Sequence, residues 1–137
     1  MALEGRPIER QGLDVRSVLM GVAVDLIIVV PAGFIGRAVS DDGSNLAIPF
    51  AVLVLFVGPF LSGAVAARGH RTNALVHGAT ATAVGWAVTM AISVTGKLID
   101  GKGVPIVASL AVGVVSVSFG VIGGYVTFRR ELSSAGE

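Results

Sequence analysis

Ala47–Ala67, AIPFAVLVLFVGPFLSGAVAA, runs for 21 residues without a charged side chain. A bilayer's hydrocarbon layer is about 30 Å thick, and about 20 mostly apolar residues cross it as a helix. A helix also pairs every interior N–H and C=O within its own segment, which lipid demands and an open strand cannot supply. Three further windows read the same way: Val18–Val39, Ala74–Thr95 and Val104–Phe128. They predict an all-α transmembrane four-helix bundle. The whole chain, 1–137, is then one integral membrane domain with a tail at 1–17 and a stub at 129–137.

Composition points the same way. The chain is 53% hydrophobic and 14% charged, with mean hydropathy +0.84, where a soluble domain carries about 25% charged residues. The polar remainder leaves no room for a soluble catalytic or receptor domain. A net charge of +1 with no clustered basic face argues against nucleic acid as a partner. The absence of cysteine excludes disulfides, thiolate metal sites and cysteine nucleophiles. Ala38 and Ser40 after the first apolar run imitate a signal-peptide cleavage site, but that run is long and carries Asp25, Pro31 and Arg37. An uncleaved first span is therefore expected.

Basic residues give the orientation. Arg6, Arg10, Arg16, Arg68, Arg71, Arg129 and Arg130 fall on one side of the four spans; Arg37, Lys97 and Lys102 fall on the other, beside Asp41, Asp42 and Asp100. The positive-inside rule then puts both termini in the cytoplasm, in a multi-pass protein of the plasma or inner membrane.

Small residues recur at the four-residue spacing that lets helices approach closely. Span two has Gly58-x3-Ser62-x3-Ala66, and span four has Ser116-x3-Gly120-x3-Gly124. Span three has Ala81-x3-Gly85 and a row of Ala79, Ala83, Ala87 and Ala91, while span one has Ala32-x3-Gly36. Shifting the chain by 61 residues lays Ser62-Gly63-x4-Arg68 over Gly123-Gly124-x4-Arg129. This marks Gly63 as a further packing position and raises a duplicated hairpin, whose halves would be related by an axis along the membrane normal. The small-residue surfaces serve packing within the bundle or contact with a second copy or another membrane protein. Beyond those and the lipid bilayer, no partner is implied.

Asp25 needs a separate account, because an Asp near a helix centre costs about 2.5–3.5 kcal/mol on insertion. It falls about 10 Å into span one at 1.5 Å per residue. Ser62, His77, Thr80 and Thr82 are expected at comparable depths, so Asp25 with His77 and a hydroxyl forms a candidate intramembrane polar site. Such a pair relays protons or binds a cation, or else it is a structural tie between helices. Pro31 and Pro59 each remove a helical hydrogen bond and favour a bend. Trp86, in mid-span, reads as packing, and Tyr125 as an interfacial anchor.

Other motifs carry little chemistry. Gly96-x4-Gly101-Lys102-Gly103 approaches a phosphate-binding loop but lacks the hydroxyl that holds magnesium and follows no strand, so it reads as a turn ending in Pro105 rather than a nucleotide site. His70 and His77 have no third ligand at zinc spacing. No serine has a neighbouring base or a G-x-S-x-G turn. Neither enzymatic activity nor a cofactor is expected.

The residues Gly58-Pro59-Phe60-Leu61-Ser62-Gly63-Ala64-Val65-Ala66-Ala67-Arg68, followed by Asn73-Ala74-Leu75-Val76-His77-Gly78, resemble the hairpin of small four-span prokaryotic membrane proteins of the YrzE-like type. The resemblance covers spans two and three, and Ala74 stands where that pattern often has Gly. It implies a bacterial or archaeal cytoplasmic-membrane protein and carries over no activity. The leading expectation is a structural or interaction subunit in the membrane; the alternative is part of an oligomeric transporter or channel for protons, cations or a small substrate.

Overall fold

The structure, a computed structural model, describes residues 12–41, 46–70, 72–101 and 103–134. Arg6, Arg10, Arg71 and Lys102 lie outside them. Four helices follow in order: α1 (Val15–Asp41), α2 (Ala47–Ala66), α3 (Ala74–Ile99) and α4 (Ile106–Ser134). Each is long and apolar enough to cross a membrane. The chain is thus an all-α protein with four membrane-span helices, as the hydropathy predicts.

The ends differ from the predicted windows for local reasons. Asp14 caps α1: its Oδ1 accepts the Arg16 N–H at 3.1 Å and its Oδ2 accepts the Ser17 hydroxyl at 2.6 Å, so the helix starts three residues before Val18. The Gly69 N–H donates to Glu131 Oε1 at 2.9 Å, and α4 runs past Phe128 through the arginines that the sequence reading assigned to a stub. Gly69 (φ 77°) and Gly101 (φ 65°) take the left-handed conformation just beyond α2 and α3, where a side chain would be strained. The Pro105 carbonyl accepts the Ser109 N–H at 3.0 Å. Pro105 therefore sits one position before the first helical residue.

α1 packs on α2 and α3, and α4 packs on the same two; α2 and α3 touch across the middle, whereas α1 and α4 do not meet among the described residues. This breaks the symmetry suggested by the 61-residue shift. An axis exchanging α1 with α3 and α2 with α4 would carry the α2–α3 contact onto α4–α1, which is absent.

The distribution of side chains is that of a protein solvated by lipid. Ile27, Phe34, Ile48 and Val107 are all at least 72% exposed, while the buried positions are mainly Gly, Ala, Ser and Thr. Close backbone approach replaces a large apolar core. A Cβ on Gly63 would meet the Gly120 backbone, one on Gly120 would meet the Thr82 side chain, and one on Gly78 would lie 2.6 Å from the Gly120 carbonyl oxygen. Gly124 lies against the Ala74 carbonyl, and Gly123 against the Phe60 carbonyl. Thr127 Oγ1 donates across to the Ala64 carbonyl at 3.2 Å, and Phe56 stacks obliquely on Phe119 with centroids 4.6 Å apart.

Burial is confined to one half. Among the described residues, the buried positions of α1 end at Asp25, those of α2 begin at Gly58, those of α3 end at Gly85, and those of α4 begin at Gly113. In this up-down bundle all four limits face the end where α1 and α3 finish, opposite the start of α1 and the finish of α4. The half nearer the termini is closed by glycine contacts; the far half has no buried position among the described residues. A Cβ on Gly33 or Gly36 would meet nothing within 4 Å, so neither glycine is needed there for a close backbone approach. On α3, Ala79 and Ala83 are half-buried and Ala87 and Ala91 exposed, so that row of alanines does not line the packed interior.

Candidate intramembrane site

Asp25 stands at the boundary between the two halves. It is 4% exposed, and its Oδ1 is buried with no hydrogen-bond partner. The two helices facing it offer glycines: the place of a Gly58 Cβ is 3.3 Å from Oδ1, and that of a Gly85 Cβ is in contact with Oδ2. Any larger residue at Gly85 would displace the carboxyl group. These two glycines therefore make room for an acid and not only for a helix backbone.

Above Asp25 the four helices enclose a partly open cavity of about 470 Å³. Its walls come from all four helices, with Ala32, Gly33 and Gly36 on α1, Phe50 and Val54 on α2, Trp86 and Thr89 on α3, and Val112 and Ser116 on α4. Trp86 rests on Gly113, where a Cβ would be 2.6 Å from the indole. Pro59 is buried against the cavity, and Leu55, four residues before it, lines the cavity half-buried. Lacking an N–H, Pro59 leaves the Leu55 carbonyl without its usual helical donor. Two side grooves, between α1 and α3 and between α3 and α4, continue from the cavity at Thr89.

The other predicted site residues are elsewhere. His77 is buried, but one turn into α3, where its Nε2 accepts the Asp14 N–H at 2.9 Å and its Nδ1 lies 2.9 Å from the Asn73 carbonyl. That pair of bonds fits a neutral ring with the proton on Nδ1. Gly85, the α3 residue that meets Asp25, is eight positions further on, about 12 Å along the axis. Asp25 and His77 thus occupy different levels. Ser62 is fully buried beside Gly21 and its hydroxyl has no partner. Thr82 donates to its own helix at the Gly78 carbonyl (2.8 Å) and packs on Gly120. Thr80 is half-buried on α3.

The sequence reading missed a second polar cluster at the terminal end. The His70 ring stacks on His77 at 4.1 Å with a 5° tilt; its Nε2 is 2.9 Å from Ser17 Oγ and 3.4 Å from Asp14 Oδ2. The Ser17 hydroxyl, against some desolvation, holds the Asp14 carboxyl below its ordinary range, helped by the Arg16 N–H and His70. An Asp with a Ser three residues on, just before an apolar run, is the signal that could have located this cap. The cluster ties the start of α1 to the α2–α3 turn. Among the described residues no three His, Asp or Glu side chains gather as metal ligands.

Compared with family models, curated proteins and solved structures, the chain matches none.

Proposed function

We propose that this membrane protein is a ligand-binding component of a transport system, taking its ligand into the cavity above Asp25. One observation carries the reading: a buried carboxyl group without a partner at the floor of a largely apolar cavity. Leaving a buried polar atom unpaired costs about 1–3 kcal/mol, and ionisable side chains inside membrane bundles are expensive enough to mark ligand or ion pathways. A structural tie would have its hydrogen bonds made, as Thr127 has. The glycine-packed half closes the floor, so the arrangement suits a one-sided pocket rather than a continuous pore. Passage across the membrane then requires that half to open, or a second subunit to complete the path.

The basic residues orient the pocket. With Arg16, Arg68, Arg129 and Arg130 at the terminal end, that end is cytoplasmic and the cavity opens from the opposite face. The likeness of spans two and three to small prokaryotic four-span proteins supports the plasma membrane as its location. The structural-subunit reading stands second, favoured by exposed Ala87 and Ala91 on α3, which offer a close-contact face to another helix.

The test is flux of protons and small organic cations in vesicles carrying wild type or Asp25→Asn. Flux in wild type that the substitution abolishes supports transport. None above empty vesicles in either leaves the interaction role as the better account.

A further inference from the structure

We propose that the ligand of this cavity is a lipophilic primary amine in its ammonium form, with Asp25 as counter-ion; this rests on reading the cavity as a binding site. Three observations define the chemistry. Among the described residues of the lining Asp25 is the one acid and none is basic; Lys97 stands in the adjoining groove between α1 and α3, eight residues beyond Thr89 or about 12 Å along the helix. The complementary group is a single positive charge.

Two hydroxyls of the lining, Thr89 and Ser116, bear on the kind of cation, and that of Ser116 can rotate to accept. Thr89 Oγ1 commits its hydrogen to the Gly85 carbonyl at 3.0 Å, so toward the cavity it offers lone pairs only. An ammonium group has three donors and no acceptor, matching a carboxylate plus acceptor oxygens. A bare divalent ion wants about six oxygens, more than these walls supply.

The rest of the lining selects the tail. Val29, Phe50, Val54, Trp86 and Val112 surround the cavity with hydrocarbon and aromatic faces. A volume of about 470 Å³ lies within the range of roughly 300–1,000 Å³ typical of small-molecule pockets. From Asp25 to Gly36 the α1 wall is about 16 Å long, only about half the thickness a partner's membrane helix must cross. A small amphiphile fits; a second helix would be left half outside.

Trp86 is the single tryptophan of the chain and lies in the cavity wall. Its fluorescence therefore reports occupancy directly. The experiment titrates decylammonium, with 1-decanol and decanoate as neutral and anionic counterparts, into the full-length protein in lipid nanodiscs. Wild type should give a saturable change with decylammonium, weakened about thirtyfold or more in Asp25→Asn, while 1-decanol binds weakly and equally to both. Gly33→Phe, whose ring enters open space and leaves Asp25 in place, should abolish the response to all three. Decylammonium and 1-decanol binding alike, or an Asp25→Asn titration matching wild type, overturns the amine assignment and leaves the cavity as a binding site. No response of Trp86 to any of the probes overturns both. If Asp25→Asn does not fold, the wild-type preference for the amine over the alcohol and its loss in Gly33→Phe still decide the matter.

Discussion

Alanine in place of glycine should have opposite consequences at Gly120 and Gly33, although both lie in membrane helices. At Gly120 the added methyl meets Oγ1 and Cγ2 of Thr82, and lies 2.8 Å from its Cβ. The collision is with a side chain whose rotamer is fixed by a hydrogen bond to its own backbone, and α4 cannot retreat without losing its contacts to α2. Overpacking of this kind costs about 1–3 kcal/mol. Better helix propensity returns at most about 1 kcal/mol, and less where the unfolded chain stays helical in lipid. Gly120→Ala should therefore lose about 1–2 kcal/mol. At Gly33 the methyl meets nothing within 4 Å, so only the propensity gain applies. Helix content followed during unfolding in mixed micelles of increasing dodecyl sulfate reads both changes. Thr82→Ala removes two of the three colliding atoms without breaking a bond between helices, so it should recover part of the loss in the double variant. Equal stability of the two alanine variants, or no coupling between positions 82 and 120, would refute the glycine-packed half.

Three further outcomes are expected. A reporter active only in the cytoplasm should work when fused after Arg130 and fail when placed within 40–45 or 96–103; the reverse pattern overturns the orientation. His77→Leu leaves the Asp14 N–H without its acceptor and should cost about 1–2 kcal/mol in the same micelle assay, whereas Gly36→Ala, at an open position, should cost nothing. The Asp14 carboxyl titrates below its ordinary value of 3.8 in the folded protein, so the unfolded chain binds its proton first as pH falls. Its contribution is then present above pH 3.8 and disappears as pH drops through the lower folded value. Stability profiles between neutral and acid pH should fall less steeply for Asp14→Asn than for wild type.

Much of this fold was legible because lipid imposes a single demand on every span. Runs such as Ala47–Ala67 have no alternative to a helix, and of the glycines that the small-residue spacing and the 61-residue shift mark, Gly63, Gly85, Gly120 and Gly124 lie where a side chain would collide with a neighbour and Gly58 where it would be tight. Spacing alone could not tell them from Gly36, which faces open space, because a small residue leaves the same pattern whether a helix or a cavity stands opposite. Gly21, Gly78, Gly113 and Gly123 also sit at close contacts and were not singled out. The span read from hydropathy stops at Phe128 because hydropathy reports where apolar residues stop, whereas the helix itself continues to Ser134. The expected Asp25–His77 pairing depended on equal depths. Asp25 is ten residues into α1 and His77 three into α3, and that difference of two turns gives His77 to the Asp14 cap. Asp25 itself is legible as a cost needing an explanation; the cavity above it is not, since it depends on how four helices come together around it.

The central claim, packing in one half and an open cavity in the other with Asp25 between them, is tested most directly by two single-cysteine proteins. The native chain has no cysteine, so Ala32→Cys in the cavity wall and Ser62→Cys in the packed half are each unique targets for a small water-soluble methanethiosulfonate. Ala32→Cys should react in the folded protein, and Ser62→Cys only after denaturation. Equal reactivity at the two positions, or protection of both, would contradict the account.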